Sequence, residues 1–218
     1  MGRPGGALRR HSTGDKTARA RDDRSSDIMR IVAGIARGRR LRAPKGRHVR
    51  PTADRVKEAV FSILESRESS NGRTVLDLFA GAGTLGIEAL SRGATEAVFV
   101  EPAREAGEAI RDNLRAAGFE AEVLAMPADR AIKRLAAAGR RFDRVFIDPP
   151  YGEGWIARTL VELDGAGLVV DGGHIVAEHG GGEEAAPIVG RFVRELERRY
   201  GDTHVALYRA AADGHGEG

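Results

Sequence analysis

From Thr74 to Glu178 the chain repeats one pattern: a short apolar run closed by turn residues, then a stretch of helical periodicity. Val75-Leu76-Asp77-Leu78-Phe79, Ala97-Val98-Phe99-Val100, Glu122-Val123-Leu124 and Arg144-Val145-Phe146-Ile147 are the first four runs. Runs this short and apolar suit strands buried on both faces, with helices predicted between them up to residue 90, over 103–117 and over 130–138. A helix over 155–163 and a strand over 174–178 follow. Such alternation predicts an α/β fold: a mostly parallel sheet covered by helices on both sides, with ligands at the carboxyl ends of its strands. Residues 192–200 and 203–208, around Gly201-Asp202, read instead as a terminal antiparallel hairpin.

Upstream of this domain the texture changes. Within residues 1–57 there are 17 Lys and Arg against 5 Asp and Glu, while the rest of the chain has 18 against 27. A basic head on an acidic body fits a polyanionic partner held by one end of the molecule. Residues 1–28 have almost no large apolar side chain and are expected to form a disordered basic tail, which makes Met29 a candidate start. Residues 29–53 read as a small, very basic β-hairpin with an extension. A helix begins near Asp54, with Val56, Val60, Phe61, Ile63 and Leu64 as its apolar stripe. The main domain then runs over 54–210, with a disordered tail over 211–218. The 218 residues include no cysteine, which excludes disulfides, thiolate zinc and a cysteine nucleophile. No run approaches the roughly 18 apolar residues of a membrane span.

Two constellations carry chemistry. After the first strand, Asp77-Leu78-Phe79-Ala80-Gly81-Ala82-Gly83-Thr84-Leu85-Gly86 places Gly81, Gly83 and Gly86 in the spacing of a nucleotide-binding turn that opens a helix. Asp77, Phe79, Gly81 and Gly83 are the expected cofactor contacts. Glu101, at the end of the second strand, suits the two ribose hydroxyls of NAD or of S-adenosylmethionine. The second constellation, Asp148-Pro149-Pro150-Tyr151, ends the fourth strand and faces the same pocket. Its prolines fix the backbone and withhold two donors. Asp148 and the Pro149 carbonyl would accept the two N–H bonds of an exocyclic amine, and Tyr151 would stack on the ring that carries it.

At these residues the chain resembles amino-methyltransferases. More narrowly, it resembles the bacterial 16S rRNA (guanine(966)-N(2))-methyltransferase family over about residues 29–210. The matching pieces are Met29-Arg30-Ile31-Val32-Ala33-Gly34, Arg37-Gly38-Arg39, Arg50-Pro51-Thr52 with Asp54-Arg55-Val56-Lys57-Glu58, the two loops above, and Tyr200-Gly201-Asp202-Thr203. The resemblance implies a Rossmann-like class I methyltransferase domain, S-adenosylmethionine as donor and a guanine amine of 16S rRNA as acceptor. It implies Thr52 and Arg55 at the methionine end of the cofactor, Glu58 in a structural role, Glu101 at the ribose and Asp129 beside the adenine. Asp129 also sits where a helix begins, so an N-cap role stands beside the cofactor role. Arg37, Arg39, Arg40, Arg42, Lys45, Arg47 and Arg50 are the expected RNA contacts.

Other features are weaker. His174 and His179 bracket a strand with Glu178 alongside, but without cysteine or a third well-spaced ligand no metal is expected. Trp155 either shapes the base pocket or packs in the core. The expected partner is 16S rRNA within a small-subunit particle, met by a cytoplasmic monomer with no membrane contact. The rival readings are a DNA adenine or cytosine amino-methyltransferase and a noncatalytic nucleotide- and RNA-binding protein. An NAD-dependent dehydrogenase would leave the 148–151 turn unexplained.

Overall fold

The computed structural model describes residues 1–2, 28–43 and 53–212. Strands β1 (Ile28–Arg30) and β2 (Arg40–Arg42) pair antiparallel as the basic hairpin, and α1 (Ala53–Glu65) follows. The alternating region is β3 (Thr74–Leu78), α2 (Thr84–Ser91), β4 (Glu96–Val100), α3 (Arg104–Ala117), β5 (Glu122–Leu124), α4 (Ala128–Ala137), β6 (Phe142–Ile147), α5 (Trp155–Gly165) and β7 (Val169–Gly180). Three strands end the fold: β8 (Ile188–Val189), β9 (Phe192–Tyr200) and β10 (Thr203–Ala210). The eight strands of the main sheet lie in the order β5-β4-β3-β6-β7-β10-β9-β8, parallel through β7 and antiparallel beyond it. This is the Rossmann-like architecture expected from the alternation.

Two details depart from the sequence reading. Strand β7 starts at Val169, upstream of the expected 174, because Gly173 tolerates a close approach that a larger residue would not. A Cβ there would lie 2.8 Å from Val169 Cγ1 and 3.0 Å from the Asp143 carbonyl oxygen. The β6–β7 register shifts at this point, between Phe142 and Arg144. Strand β8 is only two residues long and has no periodicity to read.

The order of strands fixes where a ligand belongs. From β3 the chain steps outward through β4 to β5, then returns to β6 on the other side of β3. The crevice at the carboxyl ends of β3 and β6 is therefore a topological switch point. Apolar side chains pack on both faces of the sheet. On one face Ile132 and Leu135 of α4 and Ile156 and Leu160 of α5 meet Leu76, Val98 and Val145. On the other, Phe61, Ile87 and Ile110 of α1, α2 and α3 meet Phe99 and Phe146, and Met29, Ile31 and Leu41 of the hairpin join them.

The hairpin is thus part of the domain's core and is locked to α2 by polar bonds. The fully buried Glu88 carboxylate accepts the backbone N–H of Val32 at 2.8 Å and of Ala33 at 2.9 Å. Arg92 Nε lies 2.9 Å from it and Lys57 Nζ 3.9 Å. Lys57 in turn donates to the Arg30 carbonyl at 2.5 Å. Ser91 donates its hydroxyl to the Ala33 carbonyl and accepts the Ala36 N–H. Gly34 is required at this contact, since a Cβ would sit 1.8 Å from the Ser91 carbonyl oxygen. Replacing Glu88 by Ala strands buried donors and leaves Lys57 and Arg92 without their shared anion, a loss of about 3–5 kcal/mol. Urea denaturation measures that loss, and hydrogen exchange at the Val32 and Ala33 amides should rise with it. A Glu88→Ala protein as stable as the wild type would show that the carboxylate does not hold the hairpin.

Candidate active site

The β3 and β6 loops meet at the switch point. Leu78 and Ile147 are direct partners in the parallel register, so Phe79 and Asp148 leave the sheet side by side. Phe79 has φ 62°, the one positive value outside glycine among the described residues. Backbone held this way stores of the order of 1–3 kcal/mol and marks ligand sites. Its ring meets Trp155 edge-on, with centroids 5.8 Å apart. Trp155 also donates to Glu153 at 2.8 Å and carries the Arg158 guanidinium over its ring. Only half-buried, Trp155 sits beside the crevice and outside the main core.

The glycine turn is built against carboxyl groups. Asp77 Oδ2 accepts the Gly86 N–H at 2.9 Å, and a Cβ on Gly86 would lie 2.4 Å from the Phe99 ring. Glu101 accepts the Gly81 N–H with one oxygen and the Ala103 N–H with the other, both at 2.9 Å. Each oxygen keeps a second lone pair, so the tether to Gly81 leaves acceptor capacity for hydroxyl groups. Burial drives the Asp77 pKa up from 3.8 to about 8, the Gly86 bond opposes the rise, and the fields of Asp148 and Glu101 add to it. Asp77 is therefore a neutral group behind the turn, acting on the crevice through Gly86.

The 148–151 turn presents an exposed Asp148, a buried Pro149, an exposed Pro150 and a half-buried Tyr151. Tyr151 donates its hydroxyl to Glu178 Oε1 at 2.8 Å, and a Cβ on Gly180 would touch the ring at 3.1 Å. Burial, followed by the charge of Glu178, pushes the phenol up to about 12. Tyr151 thus stays protonated and its ring is fixed from below by β7. Sequence reasoning missed this role of Glu178. The signal was its place at the carboxyl end of the strand next to β6.

The profile of the family described as Conserved hypothetical protein 95 matches residues 29–209. The chain belongs to this family. Ribosomal RNA small subunit methyltransferase D of Escherichia coli (strain K12) is 32% identical over 189 residues, covering 87% of this chain and 93% of that protein. The provisionally named rRNA methyltransferase YlbH of Bacillus subtilis (strain 168) is 38% identical over 183 residues, 83% of this chain and 98% of the relative. The solved structure of yhhF from Escherichia coli, provisionally described as a methyltransferase, superposes with a TM-score of 0.72 at 32% identity. It matches 85% of this chain and 99% of its own.

Other expected site residues scatter. Arg55 is exposed on α1, while Thr52, Lys45, Arg47 and Arg50 lie outside the described residues, as do residues 3–27 of the expected tail. Asp129 is half-buried in the first turn of α4, where Pro127 holds the N-cap position, which removes the N-cap role for Asp129. Arg37, Arg39, Arg40 and Arg42 are exposed on the hairpin, but Arg39 Nη1 also donates to the Ala116 carbonyl at the end of α3. Asn113 of α3 links the hairpin to the turn: it bonds the Arg42 N–H and carbonyl and donates to the Ala82 carbonyl. His174 and His179 do not converge, because they point to opposite faces of β7. His174 lines a polar cavity of about 470 Å³ at the other end of the sheet, with Arg73, Asp143 and Glu195.

Asp77 also sets a pH dependence. The unfolded chain releases this proton near pH 4 and the folded chain near pH 8, so between them the folded state binds more protons. Its contribution to stability is full below pH 4 and is lost as the pH rises through 8. From pH 6 to 8 the ligand-free wild type should lose about 2–3 kcal/mol relative to Asp77→Asn, which keeps an acceptor for Gly86 and cannot titrate. Parallel stability curves for the two proteins would mean that Asp77 is charged throughout.

Proposed function

We propose that this chain transfers a methyl group from S-adenosylmethionine to the exocyclic N2 amine of a guanine in 16S rRNA of the small ribosomal subunit. The observation that carries the reading is the pairing of β3 with β6, which sets the glycine turn beside Asp148, Pro149 and Tyr151 at one switch point. The relatives' names supply the rRNA, and the basic hairpin supplies a surface for it. Work on 16S rRNA in a small-subunit particle would place the protein in the cytoplasm. No helix among the described residues is long and apolar enough to cross a membrane.

The residues present fit the cofactor. Gly86 allows the turn to close where a Cβ would collide, and the charges of Glu101 and Asp148 lie near enough to be felt at Asp77. A ligand carrying positive charge is favoured beside these two carboxylates. Glu101 would hold the ribose, Gly81 and Gly83 would let backbone approach, and Phe79, Arg55, Thr52 and Asp129 are proposed as flanking contacts. When bound, S-adenosylmethionine supplies an electrophilic methyl group on a sulfonium.

The protein's own task is to present the amine. Asp148 and the Pro149 carbonyl accept its two N–H bonds, which aims the nitrogen lone pair away from them and into the crevice. The Tyr151 ring supports the guanine face, and Glu178 and Gly180 keep that ring from turning. Asp148 is also placed to take the proton that the amine loses. A guanine inside a helix cannot reach this turn, so the target must be unpaired or flipped.

Asp148→Ala should lower single-turnover methylation of a saturating ribosomal substrate by about a hundredfold or more, with cofactor affinity nearly intact. Tyr151→Ala should fail to a similar degree. Tyr151→Phe keeps the stacking ring but frees it from Glu178, so it should lose a few-fold. An Asp148→Ala protein that melts normally and methylates at the wild-type rate would overturn the mechanism. Mass mapping of the rRNA product identifies the base, and modification of DNA in place of rRNA would favour the DNA reading.

The hairpin gives a separate measurement. Because Arg39 supports α3, the clean RNA variant is Arg37→Ala with Arg40→Ala. Each lost phosphate contact should flatten the dependence of log K on log salt by about 0.7–0.9. Cofactor affinity should hardly move. If RNA affinity and its salt slope both survive, these arginines are solvated charge.

A further inference from the structure

His179, at the end of β7, is fully buried, and its Nε2 has no hydrogen-bond partner. Its other nitrogen, Nδ1, lies 3.1 Å from the Gly180 carbonyl oxygen. A carbonyl only accepts, so Nδ1 carries a proton, and in that tautomer Nε2 presents a lone pair. Glu197 Oε1, another acceptor, lies 3.3 Å from Nε2 with no hydrogen bond between them. The Nδ1 of His204 stands 3.4 Å from the same oxygen. The sheet produces this convergence: His179 pairs directly with His204, Ala206 pairs with Glu197, and all three side chains share one face of β7, β10 and β9.

Two acceptors this close, one of them on a fully buried side chain, favour a cation between them. A proton is a poor fit here. Charge-assisted N–H···O bonds close to about 2.7–2.9 Å, shorter than either spacing here. The observed spacings match a different object. Ligand atoms about 2.0–2.1 Å from a tetrahedral zinc ion lie about 3.3–3.4 Å from one another. The three potential ligand atoms lie within 4.8 Å of each other.

We propose that His179 Nε2, Glu197 Oε1 and His204 form a binding site for a divalent transition metal of the zinc class, with solvent as fourth ligand. The donor set of two imidazoles and one carboxylate suits that ion. The surrounding bonds are those that orient metal ligands: His179 gives its second N–H to a backbone carbonyl, and Glu197 Oε2 is held by Arg194 Nη1 at 2.6 Å. The Arg194 charge weakens the anionic field of the site but keeps Oε1 turned towards the histidines. This site differs from the set of His174, Glu178 and His179 that the sequence brings to mind, and it departs from the expectation of no metal. It does not depend on the methylation reading. The metal would clip β7, β10 and β9 together directly behind Gly180, against which Tyr151 packs.

The test uses the full chain, stripped with a chelator and titrated with Zn²⁺ by calorimetry, with melting curves and Co²⁺ absorption in parallel. The wild type should take one zinc per chain with a rise in Tm, and Co²⁺ should give the intense visible bands of a four-coordinate site. His204→Gln and Glu197→Gln should each weaken zinc by about a hundredfold or more and abolish those bands, whereas His174→Gln should leave both intact. Glu197 is 30% exposed, so its variant carries the comparison if His204→Gln fails to fold. Zinc affinity equal in wild type and Glu197→Gln would overturn the site, as would a Co²⁺ spectrum typical of six-coordinate surface binding.

Discussion

Glu88 is the charge on which the arrangement of head and crevice depends. A carboxylate with no exposed surface costs several kcal/mol in lost hydration unless its lone pairs are filled. Two of its partners are backbone N–H groups of the chain leaving β1, and two are the cations Arg92 and Lys57. Removing the hairpin would therefore leave a buried charge half-solvated. This makes the hairpin a fixed part of the domain, although its sequence reads as an appendage. Because Glu88 and Ser91 belong to α2, whose first turn grows out of the glycine loop, the basic surface and the crevice are joined by one short helix. Asn113 adds a second link, from Arg42 to Ala82. RNA phosphates gripped by the head would meet a crevice held at a set distance.

The division of charge between head and body has a local counterpart at the crevice. Asp77, Glu101 and Asp148 come from three different strands or their ends, and burial, with the fields of the other two adding to it, keeps Asp77 protonated at neutral pH. A neutral Asp77 can support Gly86 without adding a third full charge. Glu101 is tied to the turn through Gly81, and Asp148 is exposed at the end of β6. Environment thus separates three like side chains into a buried turn support, a carboxylate tethered to the glycine turn and an exposed carboxylate.

The parallel order and the two chemical loops were readable because each rests on local pattern: apolar runs, glycine spacing, and prolines after a strand. What escaped rests on contacts between distant residues. Glu88 reaches Val32 across 56 positions and Asn113 reaches Arg42 across 71, and no periodicity announces either. The start of β7 was hidden because glycines usually break strands, whereas Gly173 here permits a close backbone approach. Arg39 looked like one more phosphate contact, yet it also serves the carboxyl end of α3, where a cation is favoured by the exposed carbonyls. Charge clusters in a sequence do not divide themselves into structural and binding members.

Strand β7 shows how one short segment serves two purposes through its alternation. Glu178 and Gly180 face the crevice side, where they hold the hydroxyl and the ring of Tyr151. His179 between them points to the opposite face, towards Glu197 and His204. A one-residue slip of β7 would exchange these faces and destroy both arrangements at once. The antiparallel strands β10 and β9 matter for this reason. The pairing of β10 with β7, itself backed by β9, pins a register that the parallel contact with β6, already shifted between Phe142 and Arg144, pins less firmly. The terminal hairpin therefore bears on the orientation of Tyr151, because it fixes which residues of β7 meet its hydroxyl and ring.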